Sequence, residues 1–256
     1  MATKSYREEG FFEGLWRYLP SVLKVLSGAA LLIVIFNFAA GILGEVEENF
    51  DNFALVEGSA LQREYNYQVG NAESNVTYVI FDDYQCPACR QFNPTKSEII
   101  AEYGDRVSIV RKHNPLRDIH VQAPSAARAV EAANIQGQFS EFGDAIFADQ
   151  EQIGTRLYED IARSLPLDFE QWERDKDSRE VTRRVEQDQE DLENLFLDES
   201  SVNGRTKAVG VGAGTPTHVV LLDGEFYDWW TGAVTVEQAG SILENALSGV
   251  ERDLEN

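Results

Sequence analysis

A chain of 256 residues leaves room for one membrane segment and one medium-sized domain, since domains run about 100–200 residues. With 43% hydrophobic and 11% aromatic residues it can bury a real core, so it needs no disulfide framework, and its two cysteines could not supply one. A formal net charge of −22 gives a surface that repels phosphate backbones and anionic headgroups, which argues against nucleic acid as a partner. The acidity reads as a solubility device, with adaptation to salt as the alternative.

In residues 1–24, Phe11, Phe12, Leu15, Trp16 and Leu19 recur at helical spacing among charges, which suits an interfacial helix or a partner-binding one. Four basic and three acidic groups give this segment a charge of +1, so the remainder carries −23. Val25–Leu43 holds no charge, and its clearly polar side chains are Ser27 and Asn37. As a helix its nineteen residues would span about 28 Å, close to the hydrocarbon thickness of roughly 30 Å. It is apolar around its whole circumference, unlike a buried helix with a polar face. Lys and Arg precede it and Glu45, Glu47, Glu48 and Asp51 follow, so the reading is a single-pass anchor with the N-terminus cytoplasmic and the C-terminal domain extracytoplasmic. A signal peptide cleaved near Ala39 and Gly41 is the alternative.

Residues 44–73 read as an acidic linker with one short strand near Tyr65–Val69, and residues 74–250 as one domain. Val76–Phe81 is a β-branched and aromatic run that suits a buried strand. After it comes Asp82-Asp83-Tyr84-Gln85 and then Cys86, with Pro87 placed for the first turn of a helix that Gly104 ends. Val107–Arg111 reads as the next strand. Residues 119–200 carry helical patterns only: an Ala-rich segment at Gln122–Gln136, an apolar stripe of Phe139, Phe142, Ile146 and Phe147, a capping box at Asp168 and Gln171, and a charged helix at Arg179–Leu197. Thr217–Leu222 and Glu225–Trp230 flank Asp223-Gly224, a strong hairpin signal, and Thr235 with Gln238 caps a final helix to about Ser248. The order is that of an α/β core with a helical insertion.

The chemistry concentrates at Cys86-Pro87-Ala88-Cys89, a C-x-x-C where a strand passes into a helix. Unpaired N–H groups at a helix start favour an anion and lower the pKa of the first thiol. Cys89, one turn further in, reads as the more buried resolving thiol, and three-residue spacing brings the sulfurs within bonding reach. Exchange with a substrate then passes through a mixed disulfide. The Gly-rich approach Gly210–Gly214 leads to Thr215-Pro216 at the opening of a strand, which suggests a cis peptide bond and places the Thr215 backbone opposite the cysteines.

FDDYQCPAC, NPLRDIHVQAPSAARAVEAA, QGQFSEFGDAIFADQ and GVGAGTPTHVVLLDG, in that order, resemble the DsbA-like branch of the thioredoxin superfamily, over about Asn75 to Leu247. The resemblance implies a thioredoxin fold with an inserted helical domain, here preceded by one transmembrane helix. It makes Cys86 the exposed nucleophile, Cys89 its partner and Pro216 the cis-proline, with Pro87, Ala88 and Thr215 in support. It implies disulfide formation or exchange outside the cytoplasm. Exported cysteine-containing proteins are then the substrates, and a membrane redox partner is a candidate to reset the pair. No cofactor or metal is expected.

The chain departs from the family's pattern in two ways. Strong oxidants of the family carry His where Ala88 stands, so this thiolate loses one stabiliser and the chain is expected to be the weaker oxidant. Ile80 occupies the place, six before the first cysteine, where relatives often bury an acid. Asp82 and Asp83 could substitute, but as loop residues they read as solvated or capping.

A membrane-tethered reductase, serving haem or copper-site assembly, uses the same motif; a non-catalytic thiol module binding copper or a partner protein is the third reading. Zinc would need four ligands, and His113, His120 and His218 show no metal spacing. His113 and His120 read as polar contacts, and His218 as either near the site or structural. Trp229 and Trp230 read as hairpin and core residues, and the carboxylates of 186–199 as a solvated helix face.

Overall fold

The structure is a computed structural model and describes residues 61–195 and 214–249. The expected span Val25–Leu43 and the helix before it lie outside those residues. Among the described residues no helix is long and apolar enough to cross a membrane.

Five strands form one sheet in the order β1-β3-β2-β4-β5. They are β1 (Tyr67–Gly70), β2 (Val76–Asp82), β3 (Ser108–His113), β4 (Thr217–Leu222) and β5 (Glu225–Thr231). Among the described strands only β2 and β3 run parallel, joined by α1 (Pro87–Tyr103), because a parallel pair needs a crossover. β2 is central and all seven of its residues are buried. Its β-branched and aromatic run, Val76–Phe81, suits a strand covered on both faces. β3 starts one residue later than expected and runs two further, because its pairing with β2 extends to Asp82 opposite His113. β4 and β5 meet at Asp223-Gly224, both at positive φ (54 and 80°), the type I′ geometry that matches strand twist.

Tyr78 and Ile80 of β2 pack under Phe92, Ile99 and Tyr103 of α1 and Leu243 of α7 (Val236–Leu247). Gly240 lets α7 come close; a β-carbon there would collide with the Tyr103 hydroxyl. On the other face Val79, Phe81, Val110 and Val219 meet Leu61, Leu192 and Leu195. The capping box at Thr235 and Gln238 is complete, and Asp168 caps α5 by accepting the Gln171 N–H at 2.9 Å.

Between β3 and β4 the chain is helical: α2 (Ala123–Asn134), α3 (Phe139–Ala148), a single 3₁₀ turn (Gln150–Gln152), α4 (Thr155–Ser164), α5 (Phe169–Asp175) and α6 (Arg179–Glu193). The stripe of Phe139, Phe142, Ile146 and Phe147 is buried against Val130 and Trp172, in a cluster that also contains Tyr84, Cys86 and Cys89. The redox motif is thus walled on one side by the helical block.

The solvated face expected over 186–199 is corrected in part. Asp188 and Asp191 are buried on α6. They hold Lys112 of β3 at 3.1 and 2.7 Å, Asp191 also takes a bidentate grip from Arg63, and Asp188 accepts the His113 N–H at 3.0 Å. They share the helix face of Val181, Val185 and Leu192, so burial of that face carries them inward and cations must follow.

Candidate active site

Cys86 is the N-cap of α1, with extended backbone (φ −73°, ψ 124°), and Pro87 follows at the first helical position. No side chain caps this helix and its first turn holds no acid, so its free N–H groups have no competing anion. Cys86 retains 8% exposure and Cys89 none, and both thiols are free. The exposed nucleophile implied by the resemblance is therefore the less buried member of a largely covered pair.

The Thr215–Pro216 bond is cis. The Thr215 carbonyl lies 3.3 Å from the Cys86 sulfur and accepts its S–H when that thiol is protonated. Residues 129 apart in sequence meet here because β2 and β4 are neighbours, with Phe81 opposite Thr217. All six residues singled out around the two motifs, Cys86, Pro87, Ala88, Cys89, Thr215 and Pro216, thus fall at one end of the central strands. Gly210–Ala213 lie outside the described residues.

The two thiols differ sharply in acidity. Cys86 is lowered from 9.0 to about 5, first by a hydrogen bond with the Cys89 side chain. Burial opposes this, while Thr215 and the backbone N–H groups of Cys89 and Ala88 reinforce it. Ala88 lacks a donor side chain but contributes through its peptide. Burial pushes Cys89 well above its ordinary value, and the Cys86 sulfur and the charge of Asp82 push the same way. The Asp83 N–H donates to the Cys89 sulfur at 3.4 Å. One sulfur is therefore an anion at neutral pH and the other a thiol.

Asp82 and Asp83 are not solvated, a second correction, though Asp83 does hold backbone N–H groups as a capping residue does. Asp82 is the last residue of β2 and faces α1, where Lys96 meets it at 2.7 Å and Arg111 at 3.4 Å, all three side chains about 1% exposed. Burial works against its ionisation, but Lys96 and Arg111 outweigh that and hold its carboxyl below its ordinary value. Asp83 is fully buried; it accepts the N–H of Gln85 at 2.8 Å and of Leu116 at 2.9 Å, and its Oδ2 lies 2.8 Å from His120 Nδ1. Alternation on β2 was the available signal: Asp82 shares the face of Tyr78 and Ile80, which the helix after it must cover. Lys96 and Arg111 were missed altogether. Ile80 is a core residue.

His218 is fully buried; its Nδ1 accepts the Tyr78 hydroxyl at 2.7 Å and its Nε2 donates to the Gly232 carbonyl at 3.1 Å. Its ring stacks on Trp230 at 4.8 Å, so its place is structural. His113 lies 3.3 Å from Glu131. Among the described residues no group of three or more His, Cys, Asp or Glu is arranged to hold a metal.

The sheet order, the thiol pair at a helix start and the cis-proline opposite it define a dithiol protein of thioredoxin architecture. A family profile described as thioredoxin matches residues 62–245, and the chain belongs to that family.

Among solved structures it is similar to a thioredoxin-like oxidoreductase from Silicibacter pomeroyi DSS-3, at 26% identity and TM-score 0.57, covering 74% of this chain and 96% of that one. It shares its fold with Wolbachia pipientis alpha-DsbA1 (14% identity, TM-score 0.59, 73 and 93% covered). The same holds for the catalytic domain of Proteus mirabilis ScsC (20%, 0.56, 75 and 95%). Curated relatives include Na(+)/H(+) antiporter NhaA 1 of Mycobacterium sp. (strain KMS), 32% identical over 141 residues, which is 53% of this chain and 23% of that protein. Na(+)/H(+) antiporter NhaA 3 of Salinispora tropica is 35% identical over 135 residues, 53% of this chain and 20% of that protein. The chain spans under a quarter of the length of these relatives, and the likeness concerns that stretch alone.

Proposed function

We propose that this protein is a thiol–disulfide oxidoreductase that forms or exchanges disulfides in exported proteins, anchored by Val25–Leu43 with its thioredoxin-fold domain outside the cytoplasm. The observation that carries the reading is the placing of Cys86 at the start of α1, with Cys89 buried one turn further in and the Thr215 carbonyl 3.3 Å from the Cys86 sulfur, and the lowering of Cys86 to about 5 beside a raised Cys89 agrees with it. In the oxidised protein, a substrate thiolate attacks the Cys86 sulfur and releases Cys89, which takes up a proton. A second substrate thiolate then attacks its partner sulfur in the mixed disulfide. The substrate disulfide forms, and Cys86 leaves as a stabilised anion. Two substrate thiols are oxidised and one protein disulfide is reduced. In the other direction Cys86 attacks a substrate disulfide, and Cys89 loses its proton and resolves the intermediate. The low pKa of Cys86 makes it a good leaving group, which favours the oxidising direction.

The test is oxidation of a reduced, two-cysteine unfolded protein, run beside insulin reduction. Wild-type protein should oxidise the first faster than it reduces the second; Cys86→Ser should do neither, and Cys89→Ser, whose single thiolate can only attack an existing disulfide, should accumulate the mixed disulfide with insulin. A Cys86→Ser protein with full function would point instead to a non-catalytic module. The anchor is tested separately: the full chain should resist alkaline extraction from membranes, and Cys86 in intact cells should react with an impermeant thiol reagent.

A further inference from the structure

The helical block reaches the redox loop through one side-chain amide. Gln150, in the 3₁₀ turn after α3, is buried at 8% exposure, and its Nε2 donates to the Tyr84 carbonyl at 3.0 Å and to the Cys86 carbonyl at 3.0 Å. A primary amide carries two hydrogens on that nitrogen, so both bonds form together. The acceptors lie at the two ends of the segment entering α1, and the Cys86 carbonyl also accepts the first helical bond, from the Arg90 N–H at 3.1 Å.

This grip has a chemical consequence. The thiolate of Cys86 depends on its alignment with the N–H groups of Ala88 and Cys89, and that alignment depends on the backbone angles of Cys86. The N-cap is a cysteine, without the side-chain oxygen that ordinarily fixes a helix start, so ties from outside the helix bear on those angles. Other ties to this loop act further from the sulfur: the Gln85 side chain accepts the Gln122 N–H at 2.7 Å, and Asp83 holds the backbone at Leu116. Within the loop the Cys86 N–H donates to the Asp83 carbonyl at 3.1 Å, and of the ties from the helical block Gln150 is the one that takes hold of the Cys86 carbonyl. It also lines an open groove beside the first turn of α1, with Gln85, Pro87, Arg90, Gln91 and Glu151.

We propose that Gln150 is a positioning residue for the redox pair: its two donated hydrogen bonds tie the helical block to the Tyr84–Cys86 segment and hold the Cys86 sulfur against the first-turn N–H groups of α1. The proposal rests on the dithiol reading above and extends it by giving the helical block a part in setting the sulfur's acidity.

The test uses the full chain with Gln150→Met, which keeps length without donors, and Gln150→Glu, which sets a carboxylate against two carbonyl oxygens. Gln152→Met, exposed on the same turn, is the control. Thiolate absorbance in Gln150→Met should titrate about one pH unit higher than in wild type, and higher still in Gln150→Glu. The equilibrium with glutathione should move about tenfold toward the protein disulfide, which is about 30 mV. Gln152→Met should leave both readouts alone.

A Gln150→Met protein of lowered melting temperature, with wild-type titration and potential, overturns the proposal and leaves Gln150 a packing residue. Should the variants fail to fold, the wild-type side-chain amide protons decide. They should resist solvent exchange and shift on oxidation of Cys86–Cys89; exchange as fast as that of Gln152 sinks the idea. The titration needs no turnover, so a wild-type protein inert toward disulfides would defeat the dithiol reading without deciding Gln150.

Discussion

Two buried ion clusters sit on opposite faces of the same pair of strands, and they are built differently. On the α1 face Asp82 meets two cations, Lys96 and Arg111, and its Oδ1 has no hydrogen-bond partner. On the other face Lys112 lies between two carboxylates, and further donors, from Arg63, Asn66 and the His113 backbone, complete the network. The first cluster acts on a thiol, since the charge of Asp82 is among the causes that raise Cys89. The second ties α6 and the segment before β1 to β3. Buried charges are costly on either face, but only one set is placed to influence chemistry.

The comparison is tested hardest by removing one charge from each side. Lys112→Met leaves two carboxylates short of their cation, and Asp82→Asn leaves Lys96 and Arg111 without theirs. Each should destabilise the fold by about 3–5 kcal/mol in denaturant titration. Only Asp82→Asn should move the redox pair, by lowering the Cys89 pKa toward the ordinary range. A Lys112→Met protein whose thiols titrate differently from wild type would erase the distinction between the two faces.

Acid should act on the α1 face through His218. Burial lowers its pKa from 6.5 to about 4, against the hydrogen bond to Gly232. Between those values the unfolded chain binds a proton that the folded one refuses, so stability rises with pH across that window. Falling pH from about 6.5 to 4 should therefore cost about 3 kcal/mol from this group. The difference in pH slope between wild type and His218→Phe isolates it from the carboxylates. Parallel slopes would mean that the imidazole is no more reluctant to charge in the fold than out of it.

How much of this the sequence displays depends on how far apart the partners lie. The thiol pair, the turn at Asp223-Gly224 and the box at Thr235 are local patterns, three residues long or little more, and each is found where the pattern placed it. The ion clusters are long-range: Lys112 meets Asp191 across 79 positions, and Arg111 meets Asp82 across 29. No short window contains both halves, so the carboxylates read as solvated. The missed signal was positional. Asp188 and Asp191 fall in step with Val181, Val185 and Leu192 on one helical stripe, and a charge on an apolar stripe calls for a buried counter-charge. Gln150 is harder still, because nothing in its surroundings distinguishes it from the exposed Gln152 two positions later.

The smallest effect concerns Ala88, the residue before Cys89, whose side chain offers the Cys86 sulfur no donor. The Cys86 thiol sits at about 5 with Ala88 beside it, supported by the Cys89 side chain, by Thr215 and by peptide N–H groups. Ala88→His would add a cationic neighbour to a sulfur already stabilised from several directions. The thiolate midpoint should fall by about one unit, roughly 1.4 kcal/mol, and the dithiol form should gain about tenfold against glutathione. Because the folded pKa lies below the ordinary 9.0, the reduced protein's stability from this group is full above about pH 9 and lost as pH falls through about 5. In the histidine variant that loss should shift about one unit lower. A variant that titrates where wild type does would mean that the backbone and Cys89 already saturate the sulfur, and that the chain's oxidising strength does not turn on this position.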